Sequence, residues 1–255
     1  AEHLREAIPV ISSYGDALGI RAFANRVSLA DDLADKEFMA MRELASVPLI
    51  NMESAIQHPC QSLADWKTMD ELGIPKQGGK FVLSWSWHPK ALPLAVPSAT
   101  LHMAAMRGMD VTVVRPDGFA LPPSIMAKAE QAAKLSGGSV RETDERAEAY
   151  EGAHVIYAKE WASTRHYGDR VGDQKLREQL QDWIVDEPCF ARAQPDARTV
   201  VQPQPSALGL LLRYLQTLTS PDALHALAVH MPTRRSQQSR DTPIAITAIL
   251  ACQGK

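Results

Sequence analysis

The segment Pro48-Leu49-Ile50-Asn51-Met52-Glu53 is followed, after four residues, by His58-Pro59-Cys60-Gln61, and these two segments decide the fold. The first is a short apolar run that predicts a β-strand. Pro59 suits the first position of a helix because its missing N–H needs no partner there. Apolar residues then recur at helical spacing, which predicts that one face packs: Cys60, Leu63, Trp66, Met69 and Leu72. Glu53 and His58 should therefore lie at the carboxyl edge of a sheet, where open α/β sheets bind ligands.

The predicted helix start at His58 is a candidate reaction site. The first turn of a helix presents unpaired backbone N–H groups and a partial positive charge, so a small polar substrate would meet several donors there. The same charge disfavours an imidazolium, and His58 would act as a neutral donor; a capping or core histidine is the alternative. Gln61, three residues later, shares the face of His58 and can accept through its side-chain carbonyl, unless it simply faces solvent.

The rest of the chain alternates between strand-like and helix-like segments, which predicts an α/β fold with mainly parallel sheets covered by helices. The predicted strands are Leu18–Phe23, Pro48–Met52, Lys80–Trp85, Asp110–Val114, Ser139–Thr143 and His154–Ala158. The predicted helices are Asp35–Ala45, His58–Leu72, Ser98–Arg107, Ser124–Leu135 and Glu145–Tyr150.

Composition excludes several classes of protein. The 255 residues are 45% hydrophobic and carry a formal net charge of −3, so no basic surface for nucleic acid is expected. No apolar run approaches the ~20 residues of a membrane span, and we expect a soluble, cytoplasmic protein without membrane contact. Cys60, Cys189 and Cys252 are far apart and lack CxxC spacing, which predicts reduced, largely buried thiols and no metal site. No secretory signal opens the chain, whose first residue is Ala1 rather than Met, as for numbering that starts inside a longer protein.

Five landmarks then occur in the order of a known family. Asn51-Met52-Glu53-Ser54-Ala55 and His58-Pro59-Cys60-Gln61 are accompanied by Gly19-Ile20-Arg21-Ala22-Phe23, Trp85-Ser86-Trp87-His88-Pro89-Lys90 and Tyr157-Ala158-Lys159-Glu160-Trp161. Over roughly residues 1 to 198 the chain resembles the aspartate/ornithine carbamoyltransferase superfamily. Within it, the branch acting on N-acetyl- or N-succinylornithine is the most similar.

The resemblance implies two Rossmann-like lobes, of which the first is incomplete. Residues 1–54 would be a remnant of the carbamoyl-phosphate domain, 55–200 the acceptor domain, and 201–255 a divergent helical segment. The first two strands would form one sheet and the other four a second. The family's Ser-Thr-Arg-Thr-Arg phosphate loop would lie upstream of Ala1, since nothing in these residues matches it.

The C-terminal part departs from the family pattern. Residues 199–229 look helical, where the family has a strand and a loop. His230-Met231-Pro232-Thr233-Arg234-Arg235 is one residue shorter than the family's His-Cys-Leu-Pro-x-Arg-Arg segment and lacks its cysteine. The branch is also known for a deep C-terminal knot through a proline-rich loop, which Pro89, Pro93 and Pro97 resemble.

The resemblance implies a reaction that needs no cofactor. An amine attacks the carbonyl carbon of carbamoyl phosphate, a tetrahedral oxyanion forms, and phosphate leaves. The protein must therefore polarise the carbonyl, hold the phosphate and orient the amine. Arg21 would bind carbamoyl phosphate, with a surface arginine as the alternative. His58 would donate to the oxyanion, and Gln61 would accept from the carbamoyl NH₂. Pro59 and Cys60 belong to the same motif, and Cys60 is interpreted as a packing residue rather than a nucleophile.

Further residues would contact the acceptor. Glu53 would hold an ammonium, unless it only caps the following helix, and Lys159 would bind a carboxylate, unless it is simply solvated. The resemblance also places Trp87, His88 and Lys90 in or above the acceptor pocket, although packing between lobes is the alternative for them. His230 and Arg235 would remain from the C-terminal motif.

These observations predict a carbamoyltransferase acting on N-acetyl- or N-succinylornithine in arginine biosynthesis, working as a homotrimer by resemblance. The sequence does not separate the two acyl groups. A catalytically impaired relative that keeps the fold as a binding or structural protein is the alternative. A nucleotide-binding α/β protein is disfavoured because the sequence has neither GxGxxG nor GxxxxGK[ST].

Overall fold

The computed structural model describes residues 3–193 and 198–201, which form an α/β fold with two parallel sheets. The first sheet pairs β1 with β2, and the second has the order β5-β4-β3-β6-β7. The strands are β1 (Leu18–Arg21), β2 (Leu49–Glu53), β3 (Lys80–Trp85), β4 (Asp110–Val114), β5 (Ser139–Thr143), β6 (Val155–Lys159) and β7 (Arg198–Val201). The predicted fold class and the separation into two sheets are confirmed. We call residues 3–53 the first lobe, and residues 59–193 with 198–201 the second lobe.

Nine helices accompany these strands in the described residues. They are α1 (Leu4–Ser12), α2 (Leu29–Leu33), α3 (Lys36–Leu44), α4 (Pro59–Glu71), α5 (Ala95–Met106), α6 (Pro123–Ser136), α7 (Arg146–Tyr150), α8 (Arg170–Glu178) and α9 (Glu187–Phe190). All five predicted helices are present, with ends that differ by at most three residues. None of these helices is long and apolar enough to cross a bilayer.

The second sheet carries the main core. Its two central strands, β3 and β6, are buried along almost their whole length, as parallel strands covered on both faces are. The register pairs Leu83 with Tyr157 and Trp85 with Lys159, so both strands end at the same edge. Helices α5 and α6 cover one face of the sheet, and the packing brings α4 against α5.

The first sheet is smaller and less covered. Strands β1 and β2 pair in parallel, and an irregularity between Ile20 and Arg21 sets Arg21 opposite Glu53. The core behind them is a short set of buried apolar side chains from α1, β1 and α3: Ile8, Ile20, Ala22, Phe38 and Met41. This sheet therefore positions its last residues with little hydrophobic support of its own.

Strand β7 corrects one prediction. Residues 198–201 pair in parallel with β6, Val155 opposite Arg198 and Ala158 opposite Val201, so the helical prediction is wrong for residues 199–201. The β-branched run Thr199-Val200-Val201 favours a strand. The predicted helical material from 202 to 229, the segment from His230 to Arg235 and the course of the expected knot lie outside the described residues.

The two lobes touch through α2 and the segment before α8. The Tyr167 hydroxyl donates to Asp32 Oδ2 over 2.7 Å, and the Arg26 backbone N–H donates to the same oxygen over 3.0 Å. Gly168 has φ +87° and lies so close to Val27 that a Cβ would stand 2.5 Å from its carbonyl oxygen. Only glycine fits this approach without strain.

All five tryptophans lie outside the first lobe, at positions 66, 85, 87, 161 and 183. Trp85 and Trp161 are fully buried, and their indole N–H groups donate to the carbonyls of Trp161 (3.0 Å) and Phe119 (2.8 Å). Buried indoles need such partners, so these bonds help fix the core of the second lobe.

Candidate active site

Three predicted site residues meet where β1 and β2 end and α4 begins. The Arg21 guanidinium donates to Glu53 Oε2, and His58 Nε2 lies 3.4 Å from the same oxygen. Glu53 is buried, whereas Arg21 stays partly exposed with its guanidinium 4.7 Å from the centre of the Phe23 ring. The exposed part of the guanidinium can accept an anionic ligand by charge-assisted hydrogen bonds.

The helix start fixes the protonation state of His58. Its Nδ1 caps α4 by accepting from the Gln61 backbone N–H over 3.4 Å, so the neutral ring carries its hydrogen on Nε2. Burial lowers the pKa of His58, and the opposing pull of Glu53 is smaller. At neutral pH His58 is therefore a neutral Nε2–H donor that faces the site.

Asp35 of the first lobe holds the loop that leads to His58. Its carboxylate accepts from Ser54 Oγ over 2.5 Å and from the Ala55 backbone N–H over 3.0 Å. Ser54 Oγ in turn accepts from Asn51 Nδ2 over 3.0 Å. Asp35 has φ +51°, a left-handed conformation that is uncommon for a residue with a side chain. Sequence reasoning missed this residue, which looks like an ordinary helix cap before Lys36.

Gln61 is held by a second residue that sequence reasoning missed. Its side-chain Nε2 donates over 2.8 Å to Oδ1 of Asp65, which follows four residues later on α4 and is only 3% exposed. Burial raises the pKa of Asp65 to about 6. The i, i+4 spacing was the available signal, since such residues are neighbours on one helix face.

Lys159 ends β6 and is only 4% exposed, so the alternative of a solvated lysine is wrong. Burial lowers its pKa to about 8, against the charges of Glu160 and Glu53. Its charge also acts on His58. Lys159 from the second lobe thus lies near the three residues at the end of the first sheet and adds a second cation beside Arg21, which suits an anionic ligand.

The next residue, Glu160, belongs to a separate buried ionic cluster. Glu160 Oε2 accepts from the Leu92 backbone N–H over 2.7 Å, and Oε1 lies 3.6 Å from Arg177 Nε. Arg177 also pairs with Asp173. Burial raises the pKa of Glu160 to about 8. A cavity of about 530 Å³ borders this cluster between the loop after β1, residues 89–93 and residues 162–177.

The packing face of α4 is confirmed for Trp66, Met69 and Leu72, which lie in or against the main core, but not for the start of the predicted stripe. Asp65 and Met69 are its buried residues, whereas Cys60 is exposed and Leu63 is 72% exposed. The prediction that Cys60 packs in the core is therefore wrong; its Sγ lies 3.7 Å from the Asn51 carbonyl oxygen. Docking of α4 on α5 therefore buries the later part of the predicted stripe together with the Asp65 carboxylate and leaves the first two members of the stripe exposed.

Pro59 occupies the first helical position of α4, as predicted, and is exposed. Cys189 is buried and reduced, as predicted, and Cys252 lies outside the described residues.

The segment after β3 is engaged mainly in packing. Trp87 Nε1 donates to the Arg177 carbonyl over 3.1 Å, and the Trp87 backbone N–H donates to the Trp183 carbonyl over 2.6 Å. His88 Nδ1 accepts from the Lys90 backbone N–H over 3.0 Å, and the Lys90 side chain is exposed. The structure brings Arg21, Glu53, His58 and Lys159 together and turns Trp87 towards α8. His230 and Arg235 lie outside the described residues.

No group of three or more His, Cys, Asp or Glu side chains within the described part of the chain is arranged to hold a metal ion.

Comparison with protein families gives two matches that together run along most of the described chain. Residues 1–71 match the carbamoyl-P binding domain of aspartate/ornithine carbamoyltransferase, and residues 95–209 match its Asp/Orn binding domain.

Curated relatives match along the same region. N-acetylornithine carbamoyltransferase of Xanthomonas campestris pv. campestris is 39% identical over 189 residues, which are 73% of this chain and 56% of the relative. N-succinylornithine carbamoyltransferase of Bacteroides thetaiotaomicron is 31% identical over 186 residues, 73% of this chain and 54% of the relative. The chain thus spans a little more than half the length of these relatives.

Solved structures share the fold. Acetylornithine transcarbamylase complexed with acetylcitrulline superposes with a TM-score of 0.73 at 35% identity, covering 80% of this chain and 61% of that one. An N-acetyl-L-ornithine transcarbamylase variant complexed with carbamyl phosphate and N-succinyl-L-norvaline gives 0.73 at 36% identity, with the same coverage. Matches to both domains, relatives above 30% identity and this shared fold lead to one conclusion: the chain belongs to the aspartate/ornithine carbamoyltransferase family.

Proposed function

We propose that this protein transfers the carbamoyl group of carbamoyl phosphate to the side-chain amine of an N-acylated ornithine. The observation that carries the proposal is the meeting of Arg21, Glu53 and His58 at one sheet edge, with His58 held as a neutral Nε2–H donor. Such a donor suits an oxyanion that forms only during the reaction. The names of the relatives, N-acetylornithine and N-succinylornithine carbamoyltransferase, support the same reaction class.

The proposed mechanism gives each residue one task. Carbamoyl phosphate takes the Arg21 guanidinium from Glu53, and the released carboxylate holds the ammonium of the acceptor. The ammonium first loses one proton to solvent. The neutral amine then attacks the carbonyl carbon, His58 Nε2–H donates to the developing oxyanion, and the Gln61 carbonyl accepts from the carbamoyl NH₂. The tetrahedral intermediate collapses with loss of phosphate, which takes up the proton released by the amine.

The acceptor side of the site rests on the second lobe. Lys159 is buried beside Glu53 and offers an ammonium to the carboxylate of the acylated amino acid. His88, Lys90, His230 and Arg235 are proposed to line the remainder of the acceptor pocket, together with Pro59 and Cys60 at the helix start. For Trp87, the bond from its indole N–H to the Arg177 carbonyl favours packing over ligand contact.

The wider context is part of the proposal. We infer N-acetyl- or N-succinylornithine as acceptor, a step in arginine biosynthesis, a cytoplasmic location and a homotrimer. Residues 1–54 would serve the phosphate side of the site, residues 55–200 the acceptor side, and the residues after β7, 202–255, would form an added helical segment.

The decisive experiment measures binding and turnover separately on the purified chain. Isothermal titration with carbamoyl phosphate is followed by an assay for the citrulline derivative with N-acetylornithine and with N-succinylornithine. Binding followed by turnover supports the proposal, and the faster acceptor identifies the acyl group. Binding without turnover supports the alternative of a catalytically impaired relative, and absence of binding contradicts both.

The chain offers a matched control for the role of His58. His3 also caps a helix, α1, by accepting the Arg5 backbone N–H at Nδ1 over 3.2 Å, but it lies exposed at the chain surface. We expect His58→Ala to lower turnover by ~10²–10³, as for other lost oxyanion donors. His3→Ala should leave the rate unchanged. Equal rates for His58→Ala and the wild type would remove His58 from the mechanism.

A further inference from the structure

We propose that Asp65 is a positioning residue, whose carboxylate holds the NH₂ of Gln61 and thereby turns the Gln61 carbonyl oxygen towards the carbamoyl group. This inference deepens the proposed function and rests on it for the identity of the ligand. The hold of Asp65 on the amide is a separate physical claim that can be tested without turnover.

The geometry fixes which end of the amide faces the site. Gln61 Nε2 lies 2.8 Å from Asp65 Oδ1. An ionised carboxylate can only accept, so the amide nitrogen must point to Asp65 and the amide oxygen must point away from it. An acceptor is what the NH₂ of a carbamoyl group requires. Without Asp65, rotation of the terminal amide would present a donor to that NH₂ about as readily as an acceptor.

The surroundings of Asp65 indicate that the carboxylate is not kept for stability. It is enclosed between α4 and β6, where the Tyr157 hydroxyl interacts with it, and Tyr157 also interacts with Thr100 of α5. Asp65 Oδ2 has no partner within hydrogen-bond geometry among the described residues. The raised pKa of Asp65 means that burial costs the charged form more free energy than its contacts with Gln61 and Tyr157 return. A neutral side chain would be more stable here, which points to a role for the charge.

A second pair on the surface shows the same local geometry without this setting. On α8, Gln174 Nε2 donates to Glu178 Oε1 over 2.9 Å, again at i, i+4, but both residues are exposed. Such a pair stabilises a helix by only ~0.2–0.5 kcal/mol. The Gln174–Glu178 pair therefore serves as the matched control for a merely helical role.

Protonation of Asp65 should release the amide. A neutral carboxyl group can donate to the amide oxygen, so the side-chain amide of Gln61 can rotate by about 180° and no longer point its oxygen towards the site. The side chains that face Asp65 are Gln61 from α4 and Tyr157 from β6, with Thr100 of α5 beyond Tyr157, and none of them changes charge between pH 5 and 8. Because burial raises the pKa of Asp65 to about 6, the release falls in an accessible range.

The first test follows the Gln61 amide by NMR on the purified chain. The side-chain NH₂ resonances of Gln61, assigned by their loss in Gln61→Ala, should shift with an apparent pKa of about 6. The shift should vanish in Asp65→Asn and persist in Glu178→Gln. Resonances that do not move with pH in the wild type would overturn the proposal, whatever the activity of the chain.

The second test separates positioning from structure by kinetics. We expect Asp65→Leu to lower kcat/KM for carbamoyl phosphate about tenfold while the melting temperature stays the same or rises. In a Gln61→Ala background the same substitution should have no further effect. Asp65→Asn should keep much of the rate and lose the part of the acid limb that comes from Asp65, leaving the part that comes from protonation of His58, and Glu178→Leu should change nothing.

The outcomes distinguish this inference from the proposed function. Equal losses from Asp65→Leu in both backgrounds, or a melting temperature that falls together with the rate, would overturn the positioning role. An amide that titrates with Asp65 in a chain without turnover would contradict the proposed function and leave the hold of Asp65 on Gln61 established.

Discussion

The two sheets of this protein differ in how their strands are buried. In the second lobe, every residue of β6 and all but the first of β3 are buried, whereas in the first lobe β1 and β2 bury only one residue each. Arg21 and Glu53 end the poorly covered strands, and Lys159 ends a fully buried one. One side of the site therefore belongs to the well-buried sheet of the second lobe. The other side belongs to the first sheet, whose stability depends on contacts beyond its own core.

The largest difference should come from one substitution made in both sheets. Ile156 in β6 is 0% exposed and Ile20 in β1 is 8% exposed. We expect Ile156→Ala to lower the free energy of unfolding by about 4 kcal/mol, and Ile20→Ala by about 2 kcal/mol, because the small first core can relax around the cavity. Urea unfolding followed by hydrogen exchange of each lobe measures both values. Equal costs would mean that the two sheets are equally well packed.

A second prediction concerns charge inside the second lobe. Burial raises the pKa of Glu160 from its usual 4.5 to about 8, so stability present below pH 4.5 is lost as the pH rises to 8. Burial lowers the pKa of Lys159 from 10.5 to about 8, so stability falls as the pH drops from 10.5 through 8. Together, the two effects predict that the free energy of unfolding passes through a minimum near pH 8.

Glu160→Gln tests this charge effect. We expect the variant to gain about 1–2 kcal/mol over the wild type at pH 8 and nothing at pH 4.5, since a neutral side chain carries no buried charge. Urea unfolding at the two pH values measures the difference, with the exposed Glu71→Gln as control. A gain of the same size at both pH values would show that the carboxylate charge is not the cause.

The third prediction tests how the first lobe supports the site. Asp35→Ala removes the acceptor for Ser54 and Ala55 and leaves alanine at φ +51°, so we expect a loss of about 1–2 kcal/mol. Hydrogen exchange should rise in residues 49–58 and stay unchanged in β3 and β6. Asp35→Asn keeps an acceptor and tolerates the left-handed conformation, so it should lose less. Exchange that rises equally in both lobes would contradict a local role.

The smallest effect is expected on the exposed face of α4. Leu63 is 72% exposed, so Leu63→Ala should change the free energy of unfolding by less than about 0.5 kcal/mol. A cost above about 2 kcal/mol in urea unfolding would show that Leu63 packs against the core, as the apolar stripe in the sequence predicts.

The second sheet was the most predictable part of the molecule. Strands β3, β4 and β5 have the predicted bounds, because glycines close the turns before all three and the two buried strands, β3 and β4, are rich in apolar residues. Helix α8 was not among the predicted elements, since its sequence is mostly polar. It is capped by Asp169, which accepts from Val171 and Gly172, and holds the buried Asp173–Arg177 pair.

The meeting of Arg21, Glu53 and His58 followed from strand ends and a helix start, which local sequence indicates. The roles of Asp35 and Glu160 did not, because Asp35 binds residues 19 and 20 positions away, and Glu160 binds Leu92 across 68 positions. The predicted packing face of α4 was right in its later part and wrong for Cys60 and Leu63, and apolar periodicity could not foresee the buried carboxylate of Asp65. The roles of these side chains therefore depend on partners that are distant in sequence, which local sequence patterns do not indicate.

The distribution of tryptophan has a practical consequence for anyone who follows unfolding by intrinsic fluorescence. Since every indole lies between positions 66 and 183, the tryptophan emission spectrum reports the second lobe alone. A single sharp fluorescence transition would therefore be compatible with a first sheet that has already unfolded. The experiment would record cooperative unfolding of the second lobe and give no signal from the first sheet.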